Sequence, residues 1–438
     1  MATLTAFVIH PEVRNAPSNR SVDLMLDEAC LLAQAIGLEV VHAEVVALVK
    51  LRAASYFGKG VTERLADLVK YFTSSQGAPV IIINASLSPV QQRNLETQIK
   101  AKVIDRTQLI LEIFGARAQT HAGRLQVELA ALSFQRSRLV RSWTHLERQR
   151  GGNGFLGGPG ERQIELDRRM LMDRMARIKA ELKEVSRTHA LQRGNRLRSE
   201  TPTVALIGYT NAGKSTLFNR LTGANVHSED MLFATLDPTM RKLDFASGRK
   251  AVLADTVGFI SQLPTELIEA FKSTLEELVH ADIMLHVHDA SSPQVAEEAA
   301  DVVKVLGDLG LDAETQAVRV VHVLNKADLL GAEDELITRL QNMFPGGVFV
   351  SAATGDGVDD LLVHIDRFFG KSAVLVTVDV PPIHGAVRAW LHQNAIVKSS
   401  HFDERGHEHV LVSIDPANRD RLSARWPNLF TLPKNSIG

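Results

Sequence analysis

Cysteine occurs once in 438 residues, at Cys30, which rules out an intrachain disulfide and favours a cytoplasmic setting. No stretch approaches the roughly 18 consecutive apolar residues that an ordinary transmembrane helix needs. The opening run Met1–Asn15 lacks a basic n-region and a long apolar core, so a secretory signal is not expected there. Internal repeats are absent, and the only low-complexity tract is one short glycine-rich stretch. What is present, 45% hydrophobic and 23% charged residues, is ordinary for a soluble protein of about two to four domains.

A net charge of −2 conceals an asymmetry. Between Arg136 and Arg198 sixteen Lys and Arg face seven Asp and Glu, an excess of +9 that leaves −11 for the rest of the chain. The same region carries heptad-like spacing. Leu125, Leu129, Leu132, Leu139, Trp143 and Leu146 form one series, and Ile164, Leu171, Met175, Ile178, Leu182 and Val185 form the other. Such spacing predicts two helices joined along a narrow seam. Between them Gly151–Gly160 holds six glycines in ten residues, which cannot continue a helix, so the pair folds back as a hairpin. A solvated charged face is the ordinary reading of a charge run. A +9 segment in an otherwise acidic chain points instead to phosphate-backbone binding, with Phe155 and Leu156 at the tip able to insert against bases or a partner's pocket, or to fold back onto the hairpin.

The strongest chemical signal lies further on. Gly208-Tyr209-Thr210-Asn211-Ala212-Gly213-Lys214-Ser215 fits the pattern GxxxxGKS/T. The apolar run Val204–Ile207 precedes it, and a helix opens at Ser215-Thr216. Strand, glycine turn and helix N-terminus make an anion site of backbone N–H groups, with Lys214 reaching β/γ-phosphates and Ser215 ligating Mg2+. Tyr209 and Asn211 read as spacer and lid. A second apolar strand, Ala251–Ala254, ends in Asp255-Thr256-Val257-Gly258; Asp255 can hold Mg2+ through water, and the Gly258 N–H can meet a γ-phosphate. Val318–Leu324 runs into Asn325-Lys326-Ala327-Asp328, where the Asp328 carboxylate can accept from N1–H and the amino group of guanine, donors that adenine lacks. Ser351-Ala352-Ala353 follows the strand Val348–Val350, with the Ala352 N–H expected at guanine O6. Within Phe233-Ala234-Thr235-Leu236-Asp237, Thr235 is the expected second Mg2+ ligand. Together these place a guanine-nucleotide site in which Lys214, Thr235 and Gly258 carry the hydrolytic chemistry. Phe259 occupies the position of a water-orienting glutamine in small GTPases, so intrinsic turnover should be slow.

The flanks are less specific. Residues 1–104 alternate strand and helix (Thr5–Ile9, Val22–Ile36, Leu38–His42, Val61–Phe72, Val80–Asn84, Pro89–Lys100), which predicts a parallel sheet flanked by helices. The turn Tyr56–Gly60 suggests anion contact without a phosphate motif's fixed spacing. After Pro381-Pro382, a helix over Gly385–Gln393 and a strand over His409–Ile414 join the strand Ala373–Val380 in a small α+β unit. His286 and His288 read as packed polar residues, and His401, His407 and His409 lack a clear fourth ligand. The expected organisation is α/β: an N-terminal α/β domain (1–104), an antiparallel basic helical hairpin (105–198), a phosphate-loop G domain with a mainly parallel sheet (199–370) and a C-terminal α+β domain (371–438).

The chain resembles the HflX-type translational GTPases over nearly its whole length. The correspondence rests on Asp105-Arg106-Thr107, Gly157-Gly158-Pro159-Gly160-Glu161 with Asp167-Arg168-Arg169, the phosphate loop, Phe233–Thr239, Asp255–Phe259, Asn325–Asp328 and Ser351–Ala353. The resemblance implies a Mg2+-dependent GTPase that binds the large ribosomal subunit and its RNA and separates stalled or idle ribosomes under stress. The expected protein is a monomer, cytoplasmic and ribosome-associated, with peripheral membrane contact left open and neither DNA binding nor stable membrane insertion. The other two readings are a ribosome-biogenesis GTPase and a nucleotide-switched regulatory adapter of a membrane protease.

Overall fold

The computed structural model describes residues 4–14, 20–149, 159–199, 201–223, 233, 239–261, 264, 267–271, 278–331, 334–370, 374–414, 416–427 and 430–431. The hairpin tip Gly151–Gly158, with Phe155 and Leu156, and the segment Ala234–Asp237, with Thr235, lie outside that set. So do the side chains of Trp143, Leu146 and Ile164.

The first sheet has the order β2-β1-β3-β4, all parallel: β1 Thr5–Val13, β2 Glu39–Leu48, β3 Val80–Ile83 and β4 Val103–Asp105. Period-two alternation divides its side chains between two cores. Ala6, Val8 and Ile82 face α1 (Val22–Gln34) and α4 (Arg106–Arg117), whereas Phe7, Ile9, Ile81 and Ile83 face α2 (Lys59–Gln76) and α3 (Pro89–Ile99). Local signals fix the helix ends. Ser88 and Gln91 form a reciprocal capping box at α3, and Asp105 caps α4 by accepting from the Gln108 N–H at 2.8 Å.

Next come two long helices, α5 (His121–Gln149) and α6 (Pro159–Ser199). Leu125 and Leu129 of α5 pack on Met175, Ile178 and Leu182 of α6, with Leu132 at the edge. At 1.5 Å per residue, the 41 residues of α6 make a rod about 60 Å long. The part of the expected seam that the described side chains cover, Leu125, Leu129 and Leu132 against Met175, Ile178 and Leu182, is thus present.

The second sheet has the order β10-β9-β8-β5-β7-β6: β5 Thr203–Gly208, β6 Thr239–Asp244, β7 Lys250–Asp255, β8 Ile283–Asp289, β9 Val320–Asn325 and β10 Val348–Phe349. It is parallel except for β6, which runs antiparallel to β7. One face packs on α7 (Lys214–Thr222) and α11 (Val358–Gly370). Ala205, Ile207 and Met284 on the other face meet Val302, Val305 and Leu306 of α8 (Val295–Asp308). The short helices α9 (Ala313–Arg319) and α10 (Asp334–Met343) also belong to this unit.

The last sheet, order β12-β13-β11-β14, is antiparallel: β11 Val374–Val380, β12 Ile396–Phe402, β13 Glu408–Ile414 and β14 Phe430–Thr431, with α12 (Gly385–Asn394) and α13 (Pro416–Arg425). The first two sheets share a core. Phe114 of α4 stands 4.6 Å from Phe233 and 5.2 Å from Phe271 (ring centroids), and Phe259 and Ile260 belong to the same cluster.

Candidate nucleotide site

The phosphate loop leaves β5 through a backbone that only glycine accommodates. Gly208 has φ +146°, and a Cβ there would lie 2.2 Å from the Val287 carbonyl oxygen of β8. Gly213 has φ +88°, and its Cβ would lie 2.2 Å from Asn325 Nδ2. Lys214, the first residue of α7, is buried, and its Nζ donates to the Tyr209 carbonyl at 2.6 Å. Burial lowers its pKa to about 8, with Asp255 pulling the other way. The ammonium is thus held across the loop mouth, where it can exchange a carbonyl for phosphate oxygens.

Two hard oxygen donors meet beside it. Ser215 Oγ donates to Asp255 Oδ2 at 2.9 Å, joining the hydroxyl at the start of α7 to the carboxylate at the end of β7. That pair has the chemistry of a Mg2+ site. Thr256 Oγ1 is tied to the Leu206 carbonyl, so it holds the strand end and presents no free hydroxyl. Val257 is buried, and Gly258 runs against the loop so closely that a Cβ would meet Thr210 Cγ2 at 2.9 Å and Lys214 Nζ at 3.0 Å. The Thr210 N–H donates to the Phe259 carbonyl at 2.7 Å, and the Phe259 N–H donates to the Gly208 carbonyl at 3.1 Å. The Phe259 ring is a core residue, 2% exposed, and so supplies packing where a glutamine would supply a water-orienting amide.

At the base-reading end Asn325 is a brace. Its Nδ2 donates to the Ala212 carbonyl at 2.8 Å, and its Oδ1 accepts from the Ala352 N–H at 2.9 Å. The N–H expected at guanine O6 is therefore engaged with Asn325 in this structure. Lys326, at φ +61°, donates to Asp289 at 2.7 Å, and the Ala327 N–H donates to the Val350 carbonyl at 3.1 Å. These contacts set the 3-10 turn Ala327–Leu329, on which Asp328 stays exposed. Ser351 Oγ accepts from Thr354 N–H at 3.1 Å, and Arg220 donates to the carbonyls of Ala352 and Ala353. Asn211 is exposed, Ala212 is buried, and Thr216 is half-buried on α7. The structure brings together Gly208–Thr216, Asp255–Gly258, Asn325–Asp328 and Ser351–Ala353. The ring of Phe233, by contrast, is spent on packing against Phe114.

Tyr209 is more than a spacer. Its hydroxyl donates to Glu28 of α1, accepts from the Ser261 N–H at 2.7 Å and accepts from Arg20 at 3.2 Å. Burial and the adjacent Glu28 raise its pKa, so the phenol keeps its proton and remains a donor. Arg106 donates to Glu28 and, at 2.9 Å, to both the Ser261 carbonyl and its Oγ. Arg20 also pairs with Asp301 of α8 at 2.6 Å. Arg20, Glu28 and Ser261 carry no motif that sequence reading could find; of this group only Arg106 lies in a segment already singled out.

Sequence comparison with known proteins agrees with these motifs. The family described as GTP-binding GTPase N-terminal matches residues 23–115, GTP-binding GTPase Middle Region matches 117–196, and 50S ribosome-binding GTPase matches 203–326. The chain is 48% identical over 398 residues to GTPase HflX of Magnetococcus marinus, covering 91% of this chain and 90% of that one. The chain belongs to the HflX family of GTPases. GTPase HflX of Escherichia coli is 42% identical over 375 residues, 86% of each chain. A GTP-binding protein from the hyperthermophilic archaeon Sulfolobus solfataricus, in complex with GDP, matches 83% of this chain and 98% of its own at 20% identity and a TM-score of 0.43. As an HflX GTPase the chain binds GTP and hydrolyses it, and among its described residues no helix is long and apolar enough to cross a membrane.

Proposed function

We propose that this HflX GTPase binds the large ribosomal subunit in its GTP form, separates stalled or idle ribosomes into subunits, and lets go after hydrolysis to GDP and phosphate. The observation that carries the reading is the basic hairpin, whose α6, about 60 Å long, presents exposed Arg168, Arg169 and Arg177. Cations spaced along a rigid element suit the phosphates of folded RNA. The match of residues 203–326 to a family described as 50S ribosome-binding GTPase points the same way. The protein then works in the cytoplasm.

In the nucleotide site Lys214 offsets charge on the β/γ-phosphates, and Asp328 reads guanine. Ser215, with Thr235, would hold Mg2+, and Asp255 would hold it through water; when bound, the ion neutralises charge between the β- and γ-phosphates. Thr235 and Gly258 sense the γ-phosphate and relax when it leaves. With Phe259 in the core, the group that orients water is supplied by the ribosome or by rearrangement upon it.

Co-sedimentation with separated subunits tests this reading, using a non-hydrolysable GTP analogue or GDP, alongside light scattering of intact ribosomes. Large-subunit binding that needs the analogue, together with splitting, is expected. Binding without splitting but with altered subunit maturation in cells would favour a biogenesis role, and no subunit binding would favour the protease adapter.

A further inference from the structure

Three histidines meet on one face of the G-domain sheet, on the side opposite α7. His286 and His322 are register partners on β8 and β9, and His288 lies two residues along β8 on the same face. Only the third residue, contributed by the neighbouring strand, turns the His286/His288 pair into a cluster. All three present a ligating nitrogen within 4.8 Å of the others. His288 Nε2 and His322 Nδ1 are 3.0 Å apart, and the His286 and His288 rings are 3.9 Å apart. Phe344 covers them, with its ring 4.2 Å from His288 and 5.1 Å from His322.

We propose that His286, His288 and His322 form a binding site for a zinc-class divalent cation that ties β8 to β9 beneath the guanine-reading loop. His286 and His288 are 1% and 3% exposed, and the buried Nδ1 of His286 has no hydrogen-bond partner among the described residues. Among the described residues one internal hydrogen bond serves two buried imidazoles and a half-buried third; an ion would take the lone pair of one nitrogen on each ring in its place, leaving each second nitrogen as an N–H donor. Burial holds all three rings in the neutral form that a metal requires, with His288 at a pKa of about 3. Three imidazole nitrogens without carboxylate or thiolate select Zn2+ over Mg2+ or Ca2+. Zn–N bonds of about 2.0–2.1 Å place tetrahedral ligands about 3.3 Å apart, close to the His288–His322 spacing. His322 is only half-buried, which gives the ion an entry side and leaves a fourth position for water. The charge that opposes a cation here is Lys214, which acts on His286. Nucleotide phosphates offset that charge, so the site is best titrated with GDP bound.

The test uses the full, tag-free chain saturated with GDP and Mg2+. Co2+ is the spectroscopic probe, and Zn2+ is titrated against a chelator. One tight equivalent is expected, with Co2+ absorption of a tetrahedral nitrogen site and no thiolate charge-transfer band. Removing one of three ligands, in His322→Gln and separately in His288→Phe, should weaken Zn2+ binding by at least the roughly 10–100-fold lost when an outer-shell partner of a ligand is removed. Zn2+ should also raise the Tm of the parent chain but of neither variant. Unchanged GDP affinity shows that the variants are folded. Absence of a tight equivalent in the parent chain, or equal Zn2+ affinity in parent and both variants, overturns the proposal.

Discussion

Lys214 illustrates how burial prepares a residue for its ligand. Desolvation disfavours the ammonium, and the free site responds with a pKa of about 8 and a bond to its own loop carbonyl. Nucleotide phosphates favour the charged form, so the pKa rises on binding. The sign follows from linkage: below pH 8 the lysine is charged in both states and affinity is flat, whereas above pH 8 binding must take up a proton. GDP affinity should therefore fall as pH rises from about 8 to 9, approaching tenfold per unit, with proton uptake visible in calorimetry across buffers of different ionisation enthalpy. Lys214→Arg should remove that pH dependence at whatever affinity remains, and a flat profile in the parent chain would contradict the assignment. Asp328 differs in being exposed, on a turn set by Asn325 and Lys326. Asp328→Asn reverses its hydrogen-bonding character, so preference should swing from guanine to xanthine nucleotides; unchanged GTP affinity would remove it from base reading. The motifs that hold both residues were legible in the sequence because the chemistry expected of them fixes their spacing. The role of Tyr209 was not, since its partners lie 181 and 52 residues away in sequence.

The hairpin helices were readable as elements because a seam repeated over many turns leaves a periodic trace. Strand β4 was not, because three residues carry no period and its pairing with β3 is decided by tertiary packing. Strand β12 was missed for a different reason. It is an edge strand with its last five residues exposed, so its side chains carry no alternation of apolar and polar. Within the hairpin the structure separates two kinds of arginine. Arg174 makes a bidentate pair with Glu128 across the seam, at 2.7 and 2.9 Å, and so belongs to the hairpin's own geometry. Arg168, Arg169 and Arg177 are exposed. Replacing these three by Ala, with Arg174 kept, should weaken large-subunit binding and lower the slope of log affinity against log salt by about 2–3 if each neutralises one phosphate. GTP affinity of the free protein should not change. Identical salt titrations for variant and parent would leave the basic face merely solvated.

Across the whole molecule, the N-terminal sheet and the G domain share both a core and a polar junction. Phe114 packs on Phe233 and Phe271, while Arg20, Glu28 and Arg106 reach Tyr209 and Ser261. Tyr209 sits in the phosphate loop and Ser261 lies three residues after Gly258, so α1 and α4 hold both segments that flank the γ-phosphate position proposed above. A change at Gly258 would then reach Glu28 through Ser261. Tyr209→Phe keeps the ring in the core but removes the hydroxyl, leaving the Ser261 N–H and a largely buried Glu28 carboxylate each without a partner they now have. Such losses cost about 1–3 kcal/mol, so the variant should melt earlier. If Tyr209 and Glu28 act as a unit, Glu28→Gln combined with Tyr209→Phe should cost less than the two changes separately, with a coupling of about 0.5–3 kcal/mol. Loss of coupling also has a nucleotide-dependent reading. In the parent chain, amide exchange in α1 and α4 should differ between the GTP-analogue and GDP forms, and in Tyr209→Phe that difference should shrink. Equal exchange in the two nucleotide states of the parent would mean that the junction glues the two sheets together without carrying the state of the site.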